Sequence, residues 1–267
     1  MSRIESVFKK GHKALIGYIT AGYPDIEATP RIAAALAESG CDIIELGIPF
    51  SDPLADGATI QQASFKALQH GVTPRICLEI AHQIQSQLSV PLAFMTYYNP
   101  VLNYGLEAFC HSCRDAGISG LIVPDLPPDE GQELETITKN NNLDLIYFLA
   151  PTSTAARIDE VAARARGFIY MVSLTGVTGA RDSLPPGLES FVQRVRGKAS
   201  QPLCVGFGIA TPAQAKRVGA AADGVIVGSR LIQLIDEDAT LSSLKAFISS
   251  LRKALDSCEN NREAKSA

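Results

Sequence analysis

The chain has 267 residues, 46% hydrophobic and 19% charged, with a net charge of −4 from 24 basic and 28 acidic side chains. That composition suits a globular protein with a large core, and the slight acidic excess argues against a nucleic-acid or anionic-membrane partner. No apolar run approaches the roughly 20 residues that span a bilayer, and the polar start MSRIESVFKKGHK lacks the apolar stretch of a signal peptide. The cytoplasm is therefore the expected compartment, with a plastid as the alternative.

Residues 4–10 carry Ile4, Val7 and Phe8 at amphipathic-helix spacing, ahead of an apolar strand over 14–19. A turn, Thr20 to Pro24, leads to an alanine-rich helix from about Ile26 to Ser39, stopped at Gly40. A short apolar run over 43–46 contains Glu45 and opens into the Gly/Pro/Asp-rich loop GIPFSDPLADG. Two helices follow, the second beginning at Thr73-Pro74, an N-cap with proline at the first helical position. Ile76, Ile80, Ile84 and Leu88 then recur every four residues as a helical stripe.

From there the alternation is regular. Strand 92–95 leads to the loop TYYNPVLNYG and a helix over 106–116; strand 120–123 leads to PDLPPDE and a helix opening near Asp129. Strand 145–149 precedes APTST and a helix ending near Arg166. Strand 168–172 precedes a long Gly-rich loop and a helix over 186–197. Strand 203–205 precedes GFGIATP, where Thr211-Pro212 again marks a helix start. Strand 224–227 precedes GSRLIQLI, and a last amphipathic helix covers 241–255. From Ser257 the tail SCENNREAKSA has no apolar periodicity and reads as disordered. The six cysteines read as small buried hydrophobes; Cys110 and Cys113, a CHSC, fall inside a helix rather than at a redox-active helix start.

Eight strands alternate with helices, with no composition shift between them. This predicts an α/β chain, a single domain over 1–256 closed as a (β/α)8 TIM barrel. The segment before the first strand is expected as an extra N-terminal helix, and one helix after strand 2 is also extra. A doubly wound open sheet is the alternative.

In such barrels the active site lies at the strand C-termini, on the βα loops. That rule collects Glu45, Asp52 and Asp56, then Tyr97 and Asn99, Asp125 and Tyr170. A glutamate in an apolar strand is costly unless it is paired or its pKa shifts, which marks Glu45 as an acid/base candidate. Gly206-Phe207-Gly208 after strand 7 and Gly228-Ser229 at a helix start after strand 8 match the usual barrel phosphate site. The long sixth loop could add Gly176 and Gly179 or act as a lid. His12, His70, His82 and His111 and all the lysines fall away from the strand C-termini. Metal-dependent and Schiff-base aldolases are thereby disfavoured. A phosphorylated ligand and carboxylate acid/base chemistry remain. Structural roles stay open beside these: an ion pair for Glu45, turn capping for Asp52 and Asp125, and packing for Tyr97 and Tyr170.

ELGIPFSDPLADG (45–57), GYITAGYPD (17–25), GVTGAR (176–181), GFGI (206–209) and VGS (227–229) resemble, in order and spacing, the tryptophan synthase α chain family. The resemblance implies the barrel fold and a lyase: metal-free retro-aldol cleavage of indole-3-glycerol phosphate to indole and glyceraldehyde 3-phosphate. It implies no cofactor on this chain and a β chain partner carrying pyridoxal phosphate, in an α2β2 heterotetramer that makes tryptophan. By motif, Glu45 and Asp56 match the catalytic pair. Tyr18, Tyr97, Tyr170, Gly179, Phe207, Gly208, Gly228 and Ser229 match substrate and phosphate positions. Asp52, Pro53, Asn99 and Asp125 fall to partner contact or loop ordering. Ala58 stands where proline is frequent in the family, and Tyr18 where phenylalanine is common. The alternatives are a free-standing indole-3-glycerol phosphate lyase that releases indole, and a non-catalytic sugar-phosphate-binding barrel, against which the intact Glu45 and Asp56 argue.

Overall fold

A computed structural model describes residues 1–172, 187–206 and 208–263, with side chains described as far as Cys258. Among these residues nine parallel strands form one sheet. They are β1 (Ala14–Thr20), β2 (Ile43–Gly47), β3 (Leu92–Met95), β4 (Ile118–Ile122), β5 (Asp144–Ile146), β6 (Phe148–Leu149), β7 (Ile169–Val172), β8 (Leu203–Gly206) and β9 (Gly224–Val227). Their order is β5-β4-β3-β2-β1-β9-β8-β7-β6.

The two end strands are consecutive in the chain. The expected fifth strand is split at Tyr147: its first half pairs with β4 and its second with β7. The Tyr147 carbonyl accepts from the Tyr170 N–H at 2.9 Å, so the split strand is the seam that closes the barrel. An open doubly wound sheet is excluded, because its edges would not be successive halves of one strand.

Successive strand residues face opposite sides. Ala14, Ile16, Ile43, Ala93, Ile122, Ile146, Phe168, Cys204 and Ile226 fill the barrel interior, and Ile4 packs among them fully buried. The N-terminal segment is therefore a plug for the barrel floor. It forms only a 3-10 turn, Glu5–Val7, in place of the expected helix. Its apolar spacing serves the barrel rather than a helix face.

Outside the barrel, α2 (Ala58–Gln69) and α3 (Pro74–Gln87) both follow β2, as expected. The Thr73 hydroxyl caps α3 by accepting from the Ile76 N–H, and Thr211 with Gln214 forms a capping box on α9 (Pro212–Ala221). Two helical segments depart from expectation. The third loop contains a helix, α4 (Tyr98–Tyr104), before α5 (Leu106–Asp115). The last helix, α11 (Ser242–Glu263), runs through much of the tail expected to be disordered. Buried Leu244, Ile248, Leu251, Leu255 and Cys258 continue one stripe, and the Cys258 thiol donates to the Lys216 carbonyl of α9 at 3.3 Å. Residues 264–267 lie outside the described residues. No helix among the described residues is long and apolar enough to cross a membrane.

At the N-terminal end of the strands, Asp42 accepts from the Leu15 N–H at 2.8 Å, from Arg252 at 3.0 Å and from His12 at 2.9 Å. It ties β1 to α11. Asp42→Ala removes the shared acceptor, while Arg252 keeps its bonds to the Lys13 carbonyl and Asp256, and is expected to cost about 2 kcal/mol, lowering Tm by several degrees in thermal unfolding. An unchanged Tm would show that the network adds nothing.

Candidate active site

The β1–β2–β3 register sets Tyr18, Glu45 and Ala93 abreast. Glu45 shares its strand face with Ile43 of the barrel interior, so its carboxyl points inward. It is 0% exposed, and among the described residues neither carboxyl oxygen has a hydrogen-bond partner. Burial first, and the nearby Asp56 second, push its pKa up to about 8. Asp56 sits on the loop between β2 and α2. Its pKa is raised to about 6 by burial, while hydrogen bonding from Tyr97 pulls the other way.

Aromatic rings wall this pair. Tyr18 is buried with its hydroxyl 3.2 Å from that of Thr20. Its pKa is raised well above the usual tyrosine value by burial and then by the charge of Asp56. Tyr170 is raised likewise by burial, then by Glu45 and Asp56, and its ring packs on Phe148 at 4.6 Å. Each ring lies where a glycine leaves space. A Cβ on Gly47 would stand 2.2 Å from the Tyr18 hydroxyl, and one on Gly206 2.9 Å from the Tyr170 ring. Tyr97 stacks on Phe50 at 5.2 Å and accepts from the Ala55 N–H at 2.9 Å. Glu45, Asp56, Tyr18, Tyr97 and Tyr170 are thus one electrostatic neighbourhood.

The remaining sequence candidates fall elsewhere. Asp52 is exposed, and its carboxylate accepts from the adjacent Ser51 hydroxyl at 2.6 Å, a turn contact. The Pro53 carbonyl accepts from the Asp56 N–H at 3.0 Å, within the same loop. Asn99 is exposed on α4 and accepts from Asn103 at 3.2 Å. Asp125 accepts from the Tyr98 N–H at 2.9 Å, so it orders the third loop by capping α4. Gly228 and Ser229 open α10 (Ser229–Glu237), whose N-terminal amides and dipole suit an anion, and Gly208 follows β8. Gly179 and Phe207 lie outside the described residues. Among the described residues no group of three His, Cys, Asp or Glu side chains is placed to hold a metal ion.

Sequence reasoning passed over Thr20, Phe50 and Phe148. Phe148 alternates with Ile146 toward the barrel interior, a period-two signal in the sequence itself. Phe50 has no such signal, because its role is a contact across loops.

A family model described as tryptophan synthase alpha chain matches residues 4–263. A tryptophan synthase alpha chain from Dehalococcoides mccartyi is 57% identical over 256 residues, covering 96% of this chain and 100% of its own. One from Geobacter sulfurreducens is 45% identical over 262 residues, covering 96% and 99%. Among solved structures, tryptophan synthase subunit alpha from Legionella pneumophila is similar with a TM-score of 0.89 at 37% identity, over 96% of this chain and 99% of that one. A chain of Mycobacterium tuberculosis tryptophan synthase is similar with a TM-score of 0.89 at 41% identity, over 95% and 96%.

The buried Glu45 has a measurable signature. Its pKa is about 8 in the folded chain against 4.5 for the ordinary side chain. Between those values the folded state holds a proton that the unfolded state has lost, so stability falls as pH rises. Glu45→Gln removes that dependence. The variant is expected to match the parent near pH 4 and to exceed it by on the order of 3 kcal/mol at pH 8. Parallel stability–pH curves from urea unfolding would refute the buried-acid assignment.

Proposed function

This chain belongs to the tryptophan synthase alpha chain family, and on that premise we propose that Glu45 and Asp56 divide the family's lyase reaction between them. The reaction cleaves indole-3-glycerol phosphate to indole and glyceraldehyde 3-phosphate. The observation that carries the assignment is the separation of the two carboxyl pKa values, about 8 for Glu45 and about 6 for Asp56. Near neutrality Glu45 keeps a proton to give, while Asp56 is mostly ionised.

C3 of the indole ring takes the Glu45 proton. Positive charge develops on the ring nitrogen, and the Asp56 carboxylate accepts a hydrogen bond from the indole N–H and stabilises it. The Glu45 carboxylate left behind takes the proton of the glycerol hydroxyl next to the ring. The carbon–carbon bond breaks, its electrons return to the ring, and the oxygen becomes the aldehyde of glyceraldehyde 3-phosphate. Glu45 ends protonated, as it began. Proton transfer and charge stabilisation both come from these side chains, and the chain needs no cofactor of its own in this scheme.

Tyr18 and Tyr170 flank Glu45 and suit the faces of an indole. Gly208, Gly228 and Ser229, with Gly179 and Phe207, are assigned to the phosphate end. Leu54 is 93% exposed on the second loop and Leu102 54% exposed on α4, near Asp52, Pro53 and Asn99. Large apolar side chains left in water on two neighbouring loops support a partner surface there. We assign it to the β chain, carrying pyridoxal phosphate, in a cytoplasmic α2β2 heterotetramer that receives the indole.

The assay is indole release from indole-3-glycerol phosphate, with and without a β chain. The kcat/KM profile should rise through about pH 6 as Asp56 ionises and fall through about pH 8 as Glu45 loses its proton. Glu45→Gln should lower kcat by about 10²- to 10⁴-fold while calorimetry still detects substrate binding. Substantial turnover in that variant would sink the assignment. Leu54→Asp should weaken co-elution with the β chain on gel filtration and spare the isolated chain's basal rate; unaltered co-elution would move the interface elsewhere.

A further inference from the structure

The second loop, which carries Asp56, is tied down by one side chain from the third loop and one from α2. The Tyr97 ring stacks on Phe50, at the start of the loop, at 5.2 Å and 30° between planes. Its hydroxyl accepts from the N–H of Ala55, the residue before Asp56, at 2.9 Å. The stretch between these anchors projects into solvent: Ser51 and Asp52 are exposed, and Leu54 is 93% exposed. A further tether comes from α2, where the Gln61 side chain donates to the carbonyls of Pro53 at 3.4 Å and Asp56 at 3.0 Å. Like the Tyr97–Ala55 bond, these hold the loop's backbone; at the Asp56 carboxylate itself it is hydrogen bonding from Tyr97 that opposes the effect of burial.

Tyr97 is itself firmly placed. It is buried, and it immediately precedes α4, whose first N–H is capped by Asp125 from the fourth loop at 2.9 Å. A rigid donor beside a loop carboxylate sets both where the carboxylate sits and how readily it ionises.

We propose that Tyr97 is a positioning residue for the lyase reaction: by clamping the second loop at Phe50 and Ala55, it sets the Asp56 carboxylate where the indole N–H must meet it. The inference rests on the reading that Asp56 receives the indole N–H.

Tyr97→Phe tests it, because phenylalanine keeps the stack on Phe50 and deletes only the hydroxyl. With the full chain and indole-3-glycerol phosphate, kcat/KM is expected to fall by about 10- to 100-fold, the range for a lost hydrogen bond to a charged group. The acid limb of its pH profile should move upward, since the hydroxyl opposes the burial that raises Asp56. The alkaline limb, set by Glu45, should stay, and Tm should stay within about 2 °C because the stack survives. An unmoved acid limb overturns the proposal whatever the rate loss, since a merely structural hydroxyl would leave that limb in place. Asp56→Asn is the control. If it turns over normally, the catalytic reading of Asp56 fails. If it is inactive while Tyr97→Phe keeps the parental profile, only the positioning role of Tyr97 fails.

Discussion

A carboxyl group with no hydrogen-bond partner among the described residues, enclosed in the barrel, is the constraint to which the rest of this molecule answers. Burying an unsatisfied polar group costs on the order of 1–3 kcal/mol, and burying it charged costs far more, so Glu45 is held as the neutral acid. The sheet cannot relieve the cost by turning Glu45 outward. A one-residue slip of β2 would bring Ile44 and Leu46 inside and expel Ile43, which packs in the barrel interior. Register therefore enforces the burial, and the apolar layer beneath keeps the local dielectric low.

The second carboxyl differs because it stands on a different kind of element. Asp56 is on a loop that meets solvent, so its pKa rises less than that of Glu45. Two carboxyls of similar chemistry are thus separated by where the chain places them, one on a strand and one on a loop. Gly47 and Gly206 complete the arrangement by absence. Any side chain there would collide with Tyr18 or Tyr170, the rings beside Glu45.

How far this was legible in the sequence depends on the range of the interaction. Strand bounds such as 92–95 and 224–227 follow from short apolar runs between turn formers, and the structure reproduces them. Glu45 was legible for the same reason: it alternates with Ile43 at a strand end. The N-terminal segment misled because plugging a barrel and facing a helix select the same apolar spacing at Ile4, Val7 and Phe8. The helix α4 was hidden because its cap, Asp125, lies 27 residues away. Continuation of α11 was encoded in Cys258, which extends the stripe of Leu251 and Leu255, but a polar tail around it obscured the pattern. The stack of Phe50 on Tyr97 has no local signature at all.

Opposite ends of the barrel handle charge in opposite ways. At the N-terminal end Asp42 is matched by Arg252 and His12, and buried Asp144 by the Ser2 hydroxyl and Arg166. At the C-terminal end Glu45 is left unmatched among the described residues. Stability concentrated in the floor, the interior and the helix layer offsets that local cost, a division of labour typical of such barrels. It also gives the site a direction of change. A ligand hydroxyl delivered to Glu45 in the proposed reaction would supply a partner that the described residues do not. Part of the binding free energy then comes from giving this buried carboxyl a partner, and that gain is available only to a ligand that reaches the end of β2.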